Sequence, residues 1–184
     1  MKKVALLGDS IRLIGYGLKV PELLGSNYEV YQPEDNCGFV KKTLRMLFDI
    51  REKLNGCDVI HWNNGLWDIF RPFEDGKTLT SEEEYTENML RVAKILKDIT
   101  PNVIFATTTP VRENRYYRNA DIDRYNALIV PKLQETGLRI NDLNGLLRNN
   151  VERYIRSDDL LHLTKEGIDV CAKQVADCIK SVIL

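Results

Sequence analysis

The feature that most constrains this chain is an alternation. Short apolar runs without helical period are followed, from one end to the other, by longer segments whose apolar residues recur at helical spacing. Residues 4–7 form the first such run, closed by Gly8-Asp9-Ser10, and 28–31 form a shorter second one. Residues 58–62 end at Asn63-Asn64-Gly65, 103–107 end in threonines and Pro110, and 138–143 are the last run. Runs of this length bounded by turn residues predict strands buried on both faces, as in a parallel sheet covered by helices.

The intervening segments read as helices. Residues 41–54 carry Leu44, Leu47, Phe48 and Arg51 at helical spacing and stop at Asn55-Gly56. Residues 71–80 are a polar loop with Pro72 and Gly76, after which Ser81 with Glu84 three residues on makes a capping-box start. That helix runs to about Ile99, ahead of Pro101. Residues 120–135 predict a helix closed by Gly137, with Pro131 inside it as a conflict that predicts a kink or a shortening. A short helix over 144–154, a loop over 156–163 and a last helix capped by Thr164, from 165 to about 182, complete the chain.

With no internal repeat and no linker, one domain over residues 1–184 is expected. Its predicted fold class is α/β, a three-layer α/β/α sandwich with a five-stranded parallel sheet, right-handed crossovers and the flavodoxin-like strand order 2-1-3-4-5. Ligands of such sheets bind beyond the carboxyl ends of the strands, near the reversal in strand order.

Bulk properties narrow the partners. Lys plus Arg number 26 against 27 Asp plus Glu, scattered along the chain, which gives no electrostatic footprint for nucleic acid or an anionic membrane. The apolar run after Met1-Lys2-Lys3 is too short for a signal-peptide core, and no stretch approaches a membrane span. Cys37 and Cys57 show no metal-ligand spacing with His61 or His162, and Cys171 and Cys178 lie too far apart on one helix to bridge. Free thiols fit a reducing compartment, so a cytoplasmic location is expected. Phosphate-loop and dinucleotide glycine patterns do not occur, and no metal or cofactor is expected.

Four segments fall where chemistry would sit. Ser10 follows the first strand at a tight Gly8 turn, where its hydroxyl and N–H face the cleft, although Asp-Ser after a strand is equally an ordinary helix cap. Asn36-Cys37-Gly38 follows the second strand, and Gly38 either aims an N–H at the same point or is a turn glycine. After the third strand, a side-chain amide can serve as a preorganised donor to a developing oxyanion, or Asn-Gly can be a plain turn. In Asp159-Leu160-Leu161-His162 the carboxylate can hold one imidazole nitrogen while the other faces a serine. The other histidine, His61, lies within the third strand and is expected to point into the packing, leaving His162 as the general base.

Together, Gly8-Asp9-Ser10, Gly38, Asn63 and Asp159-x-x-His162 resemble, in order and over nearly the full length, the first, second, third and fifth blocks of the GDSL-like SGNH hydrolases. The third block departs from the usual Gly-x-Asn-Asp: Trp62-Asn63-Asn64-Gly65 stands there, with Asn63, first off the strand, the preferred donor and Asn64 the alternative. The Gly-Leu-Trp-Asp continuation resembles a subgroup of the family. The resemblance implies a serine esterase with Ser10 as nucleophile, His162 as base and Asp159 as orienter. It implies an oxyanion hole from the Ser10 and Gly38 N–H groups and the Asn63 amide. The expected substrate is a small-molecule ester, a short acyl group (acetyl first) on a carbohydrate or other small polar alcohol, since no long apolar lid segment is present. Alternatives are an O-acyltransferase using the same residues and a non-catalytic flavodoxin-like module binding an anion at the Gly-Asp-Ser loop. Arg12 is expected either in a structural or solvated role or against an anionic or sugar group. Trp62, Trp67 and Tyr16 read as core aromatics or as a stacking wall, and the loop 112–119, with Tyr116 and Tyr117, as a cover for the site or a surface loop.

Overall fold

Five strands, Lys2–Leu7 (β1), Tyr28–Tyr31 (β2), Val59–Asn63 (β3), Val103–Ala106 (β4) and Arg139–Asn141 (β5), pair in parallel in the order β2-β1-β3-β4-β5 in the computed structural model, which describes residues 1–183. The predicted α/β class, parallel sheet and strand order are those observed. Val4 to Leu7 of β1 and all of β3 and β4 are buried, which is why they lack polar alternation. Each large apolar side chain taken out of water there contributes about 1.5–3 kcal/mol.

The helices are Ser10–Leu13 (α1), Val20–Leu24 (α2), Val40–Leu54 (α3), Glu82–Lys97 (α4), Asn119–Glu135 (α5), Leu143–Arg148 (α6), Val151–Tyr154 (α7) and Lys165–Ser181 (α8), with a 3-10 turn at Tyr16–Leu18. α3, α4 and α5 pack side by side on one face of the sheet, and α8 packs with α2, α6 and α7 on the other. With right-handed crossovers, the chain must change face where the strand order reverses at β1. The clefts after β1 and β3 therefore open at that reversal.

Local chemistry explains the boundaries. Ser81 accepts from the Glu84 N–H, as the capping box predicts, and Thr164 accepts from the Gly167 N–H to start α8. Pro131 does not shorten α5, which runs through it to Glu135. The carbonyl that Pro131 leaves without a helical donor belongs to exposed Ala127, where water can satisfy it. α3 buries Val40, Thr43, Leu47 and Leu54, so its inward face is turned away from Phe48, which is 79% exposed and lies under the Arg45 guanidinium. The expected single helix over 144–154 is two, α6 and α7, divided at Asn149-Asn150; Asp142 caps the first by accepting from the Gly145 N–H. All four cysteines are free, and among the described residues no helix is long and apolar enough to cross a membrane.

Candidate active site

The register of the two central strands builds the floor of the site. Leu7 pairs with Trp62, so the next residues along, Gly8 and Asn63, lie side by side. Gly8 is needed there: a Cβ at that position would fall 1.9 Å from Asn63 Oδ1. Beyond Gly8 the chain turns into α1, with Asp9 as N-cap accepting from the Ile11 N–H, and Ser10 as first helical residue. The Ser10 N–H consequently has no acceptor within the helix.

Ser10 meets His162 and Asp159, which lie some 150 residues further along the chain, at this point. His162 Nε2 is 2.9 Å from Ser10 Oγ, and His162 Nδ1 is 3.0 Å from Asp159 Oδ2. The other carboxylate oxygen, Oδ1, accepts from the Leu161 and His162 N–H groups, both at 2.9 Å. Burial raises the Asp159 carboxyl, but the two N–H groups and the imidazole outweigh it and hold it below the usual aspartate range. To bend this tightly, Leu160 takes a φ of 65°, in the left-handed region that a branched side chain rarely enters. Its strain is held by backbone bonds from both sides: Arg112 N–H donates to the Leu160 carbonyl at 3.0 Å and Arg156 N–H to the His162 carbonyl at 2.8 Å.

The three candidate donors behave differently. Asn64 is consumed by structure: its Oδ1 accepts from Thr43 Oγ1 and Trp62 Nε1, and its Nδ2 donates to the Gly38 carbonyl. Asn63 Oδ1 accepts from the Tyr16 hydroxyl at 2.7 Å, which leaves Nδ2 as the donating end of that amide. Gly38 has φ 59°, as a turn glycine requires, and its N–H is not directed at Ser10: it donates to Asn36 Oδ1 of its own loop at 2.7 Å. The expectation of an unengaged Gly38 donor is corrected accordingly, since a short asparagine two residues earlier is the nearest acceptor.

His61 is fully buried, and burial alone pushes its imidazole down to about 3, so it stays neutral in the packing as expected. Its Nε2 lies 3.1 Å from Asn141 Nδ2. Arg12 contacts neither solvent nor a carboxylate. It is 1% exposed and donates to the carbonyls of Pro33, Asp35 and Gly8, fastening the loop after β2 to the loop after β1. Reciprocal bonds between Gly8 and Cys37, Gly8 N–H to Sγ and Cys37 N–H to the Gly8 carbonyl, complete that fastening. Trp62 and Tyr16 are core residues, which removes them from any stacking wall, whereas Trp67 is exposed. Tyr116 and Tyr117 instead pack their rings 5.4 and 5.5 Å from Phe70, a residue that no motif or periodicity singles out. The two loops that carry them are joined by Arg71 N–H donating to the Tyr116 carbonyl. Among the described residues, no cluster of three or more His, Cys, Asp or Glu suits a metal ion.

Asp68, at the end of the Gly-Leu-Trp-Asp stretch, shapes the site from beneath. Its Oδ1 accepts from the Val40 N–H, at the start of α3, and from Thr80 Oγ1. Burial pushes its carboxyl up to about 7, against the lowering effect of those two donors. The folded state therefore holds this proton more tightly than the unfolded chain does. The stabilising contribution is complete below about pH 4 and is lost as pH rises through 7. Asp68→Asn keeps both bonds to Oδ1 and removes the titration. Thermal melts at pH 5 and pH 8 are expected to show the variant gaining on the wild type by about 2–3 kcal/mol across that interval. A difference that does not change with pH would mean that Asp68 does not titrate there.

No protein-family model matches the sequence, and no curated protein does. Solved structures match along the whole chain. A lipase/acylhydrolase from Enterococcus faecalis aligns with a TM-score of 0.77 at 18% identity, over 98% of this chain and 96% of that one. An acetylxylan esterase from Geobacillus stearothermophilus aligns with a TM-score of 0.79 at 18% identity, over 97% of this chain and 94% of that one. A GDSL-like lipase from Bacteroides thetaiotaomicron aligns with a TM-score of 0.73 at 18% identity, over 98% of this chain and 88% of that one. The chain thus has the fold of these hydrolases.

Proposed function

We propose that the protein is a serine carboxylic-ester hydrolase acting on short acyl esters, acetyl first, of a carbohydrate or other small polar alcohol. The observation that carries this reading is the hydrogen-bonded row Asp159–His162–Ser10, at 3.0 and 2.9 Å, at the carboxyl end of β1. With Nδ1–H donated to Asp159, Nε2 has a lone pair for the Ser10 proton. Ser10 Oγ attacks the ester carbonyl as His162 takes that proton, and Asp159 stabilises the imidazolium without being protonated. The tetrahedral oxyanion is held by the Ser10 N–H and Asn63 Nδ2; the Gly38 N–H joins only by exchanging Asn36 for the oxyanion. His162 then protonates the leaving alkoxide, and a water deprotonated by the same ring releases the acid from the acyl-enzyme.

Solvent reaches His162 and Asp159, whose side-chain exposures are 23% and 32%, so water is available as acceptor; product analysis with and without added alcohol separates hydrolysis from acyl transfer. The anion-binding alternative has only the start of the four-residue α1 to offer, and no help from Arg12, which is turned inward onto carbonyls. A small acyl group is supported by the close packing beside Asn63, where Ile11, Leu66 and Leu143 are among the residues that leave no cavity for a long chain to enter. A sugar is supported by the half-buried rings of Phe70, Tyr116 and Tyr117, since such rings suit the apolar face of a pyranose. Tyr117 lies within reach of the Asp9 charge, which with burial raises its hydroxyl to about 12. One structure sharing the fold is an acetylxylan esterase, consistent with the same substrate class.

The test is a series of p-nitrophenyl esters from acetate to octanoate with acetylated xylo-oligosaccharides, alongside labelling by a fluorophosphonate. Turnover is expected to fall as the chain lengthens, with a label on Ser10 that disappears in His162→Ala. Neither turnover of any ester nor labelling would reject the reading.

A further inference from the structure

An amide used as an oxyanion donor is only as good as its orientation. Rotated by half a turn, Asn63 would present its carbonyl oxygen to the oxyanion and repel it. Resting on the esterase reading above, we propose that Tyr16 is a positioning residue, whose buried hydroxyl captures Asn63 Oδ1 and thereby keeps Nδ2 turned toward the oxyanion.

The geometry is specific. Tyr16 is fully buried, sits in the 3-10 turn just after α1, and donates to Asn63 Oδ1 at 2.7 Å. Among the described residues this is the hydroxyl's one hydrogen bond, and none of them offers its proton a competing acceptor. The ring cannot swing away, because it stands edge-on to His61 at 5.5 Å and 84°. His61 is held in turn by Asn141, whose Oδ1 accepts from Gln174 Nε2 of α8. The amide's remaining freedom is limited from the other side by Gly8, whose Cα hydrogens face Oδ1 so closely that no Cβ fits between.

A tyrosine hydroxyl can accept as well as donate, so a second constraint is needed to set the sense of the amide. Asp9 supplies it. Its buried carboxyl lies beside Asn63; burial, the larger effect, raises it, while the Asn63 amide lowers it, as a donor does. With an acceptor at Asp9 and a donor at Tyr16, the amide has one orientation that satisfies both: nitrogen toward Asp9 and the cleft, oxygen toward Tyr16. The device costs the enzyme nothing at the moment of reaction, since the donor is turned before substrate arrives.

Tyr16→Phe keeps the ring and deletes only the hydroxyl. With the wild-type protein turning over an aryl acetate, kcat is expected to fall about tenfold with KM unchanged, since the interaction concerns the transition state and not the bound ester. The same substitution in an Asn63→Ala background is expected to have no effect on kcat. A loss of equal size in both backgrounds, or no loss in either, overturns the proposal. A direct measurement on the unmutated protein guards against a variant that fails to fold. With asparagine side chains labelled with 15N and the Asn63 signal identified by its absence in Asn63→Ala, binding of an alkylboronic acid at Ser10 is expected to shift that NH2 resonance. An unmoved signal in a boronate-bound protein also overturns the proposal. Wild-type protein without ester turnover or boronate binding would instead remove the esterase reading, and this inference with it.

Discussion

Ser10→Ala is expected to lower kcat/KM on an aryl acetate by roughly a million-fold while leaving the melting temperature within a degree or two of the wild type. The size follows from the way a nucleophile and its base act as one unit: removing either forfeits nearly all the chemistry. The unchanged fold follows from the structure, in which the Ser10 hydroxyl bonds to His162 Nε2 and to no main-chain group. Two further results belong to the same expectation. His162→Ala falls about as far as Ser10→Ala, and the double variant is no slower than either single one. Asp159→Asn costs less, roughly 10⁴-fold, because the ring keeps its place but Nδ1 is offered the wrong partner. Its two main-chain bonds, to Leu161 and His162 N–H, survive through the remaining oxygen, so the loop keeps its bend. If Ser10→Ala kept turnover within about a hundredfold of the wild type, or if the single losses multiplied in the double variant, the three groups would not be acting as one unit.

Much of this site could be read from the sequence because its members sit where a parallel sheet always places its ligands. Ser10 and Asn63 are the residues at the ends of the first and third strands, and a strand end can be located from an apolar run and its turn. Asp159 and His162 are three apart in one loop, so their contact is local and their spacing carries it. What was not legible depends on reach and on orientation. The sequence leaves Arg12 open between a structural or solvated role and a substrate-facing one, and only the packing of the loop after β2 against that after β1 reveals three carbonyls waiting for its guanidinium. Gly38 is at the predicted place, but the direction of one N–H is set by whether Asn36 folds back onto it. Phe70 joins Tyr116 and Tyr117 across two loops that are some forty-five residues apart, a distance over which no periodicity speaks. Pro131 is tolerated within α5 where the carbonyl it leaves without a donor, on exposed Ala127, can turn to water, and that exposure is a tertiary fact.

Gly8→Ala is the second substitution with a large expected effect, and its cause is steric. Gly8 has a backbone conformation open to any residue, so alanine brings no φ strain; the added methyl meets the Asn63 side chain, 1.9 Å from Oδ1 and 2.8 Å from Cγ. Neither atom belongs to a flexible chain end with somewhere to go. The amide is backed by Tyr16 and walled by the pairing of β1 with β3. It must therefore turn out of place, and the oxyanion loses a donor while Ser10, His162 and Asp159 stay as they are. A loss of about 10²–10³-fold in kcat, with KM little altered, is expected. Overpacking is expected to lower stability by about 1–3 kcal/mol at the same time. Fluorophosphonate labelling of Ser10 separates the two effects, since it reports the nucleophile and base directly and should slow less than turnover of a carboxylic ester does. In an Asn63→Ala background the collision disappears, and Gly8→Ala should then cost almost nothing further in rate. A Gly8→Ala protein with kcat close to that of the wild type would mean that the Asn63 amide is not where the oxyanion is held.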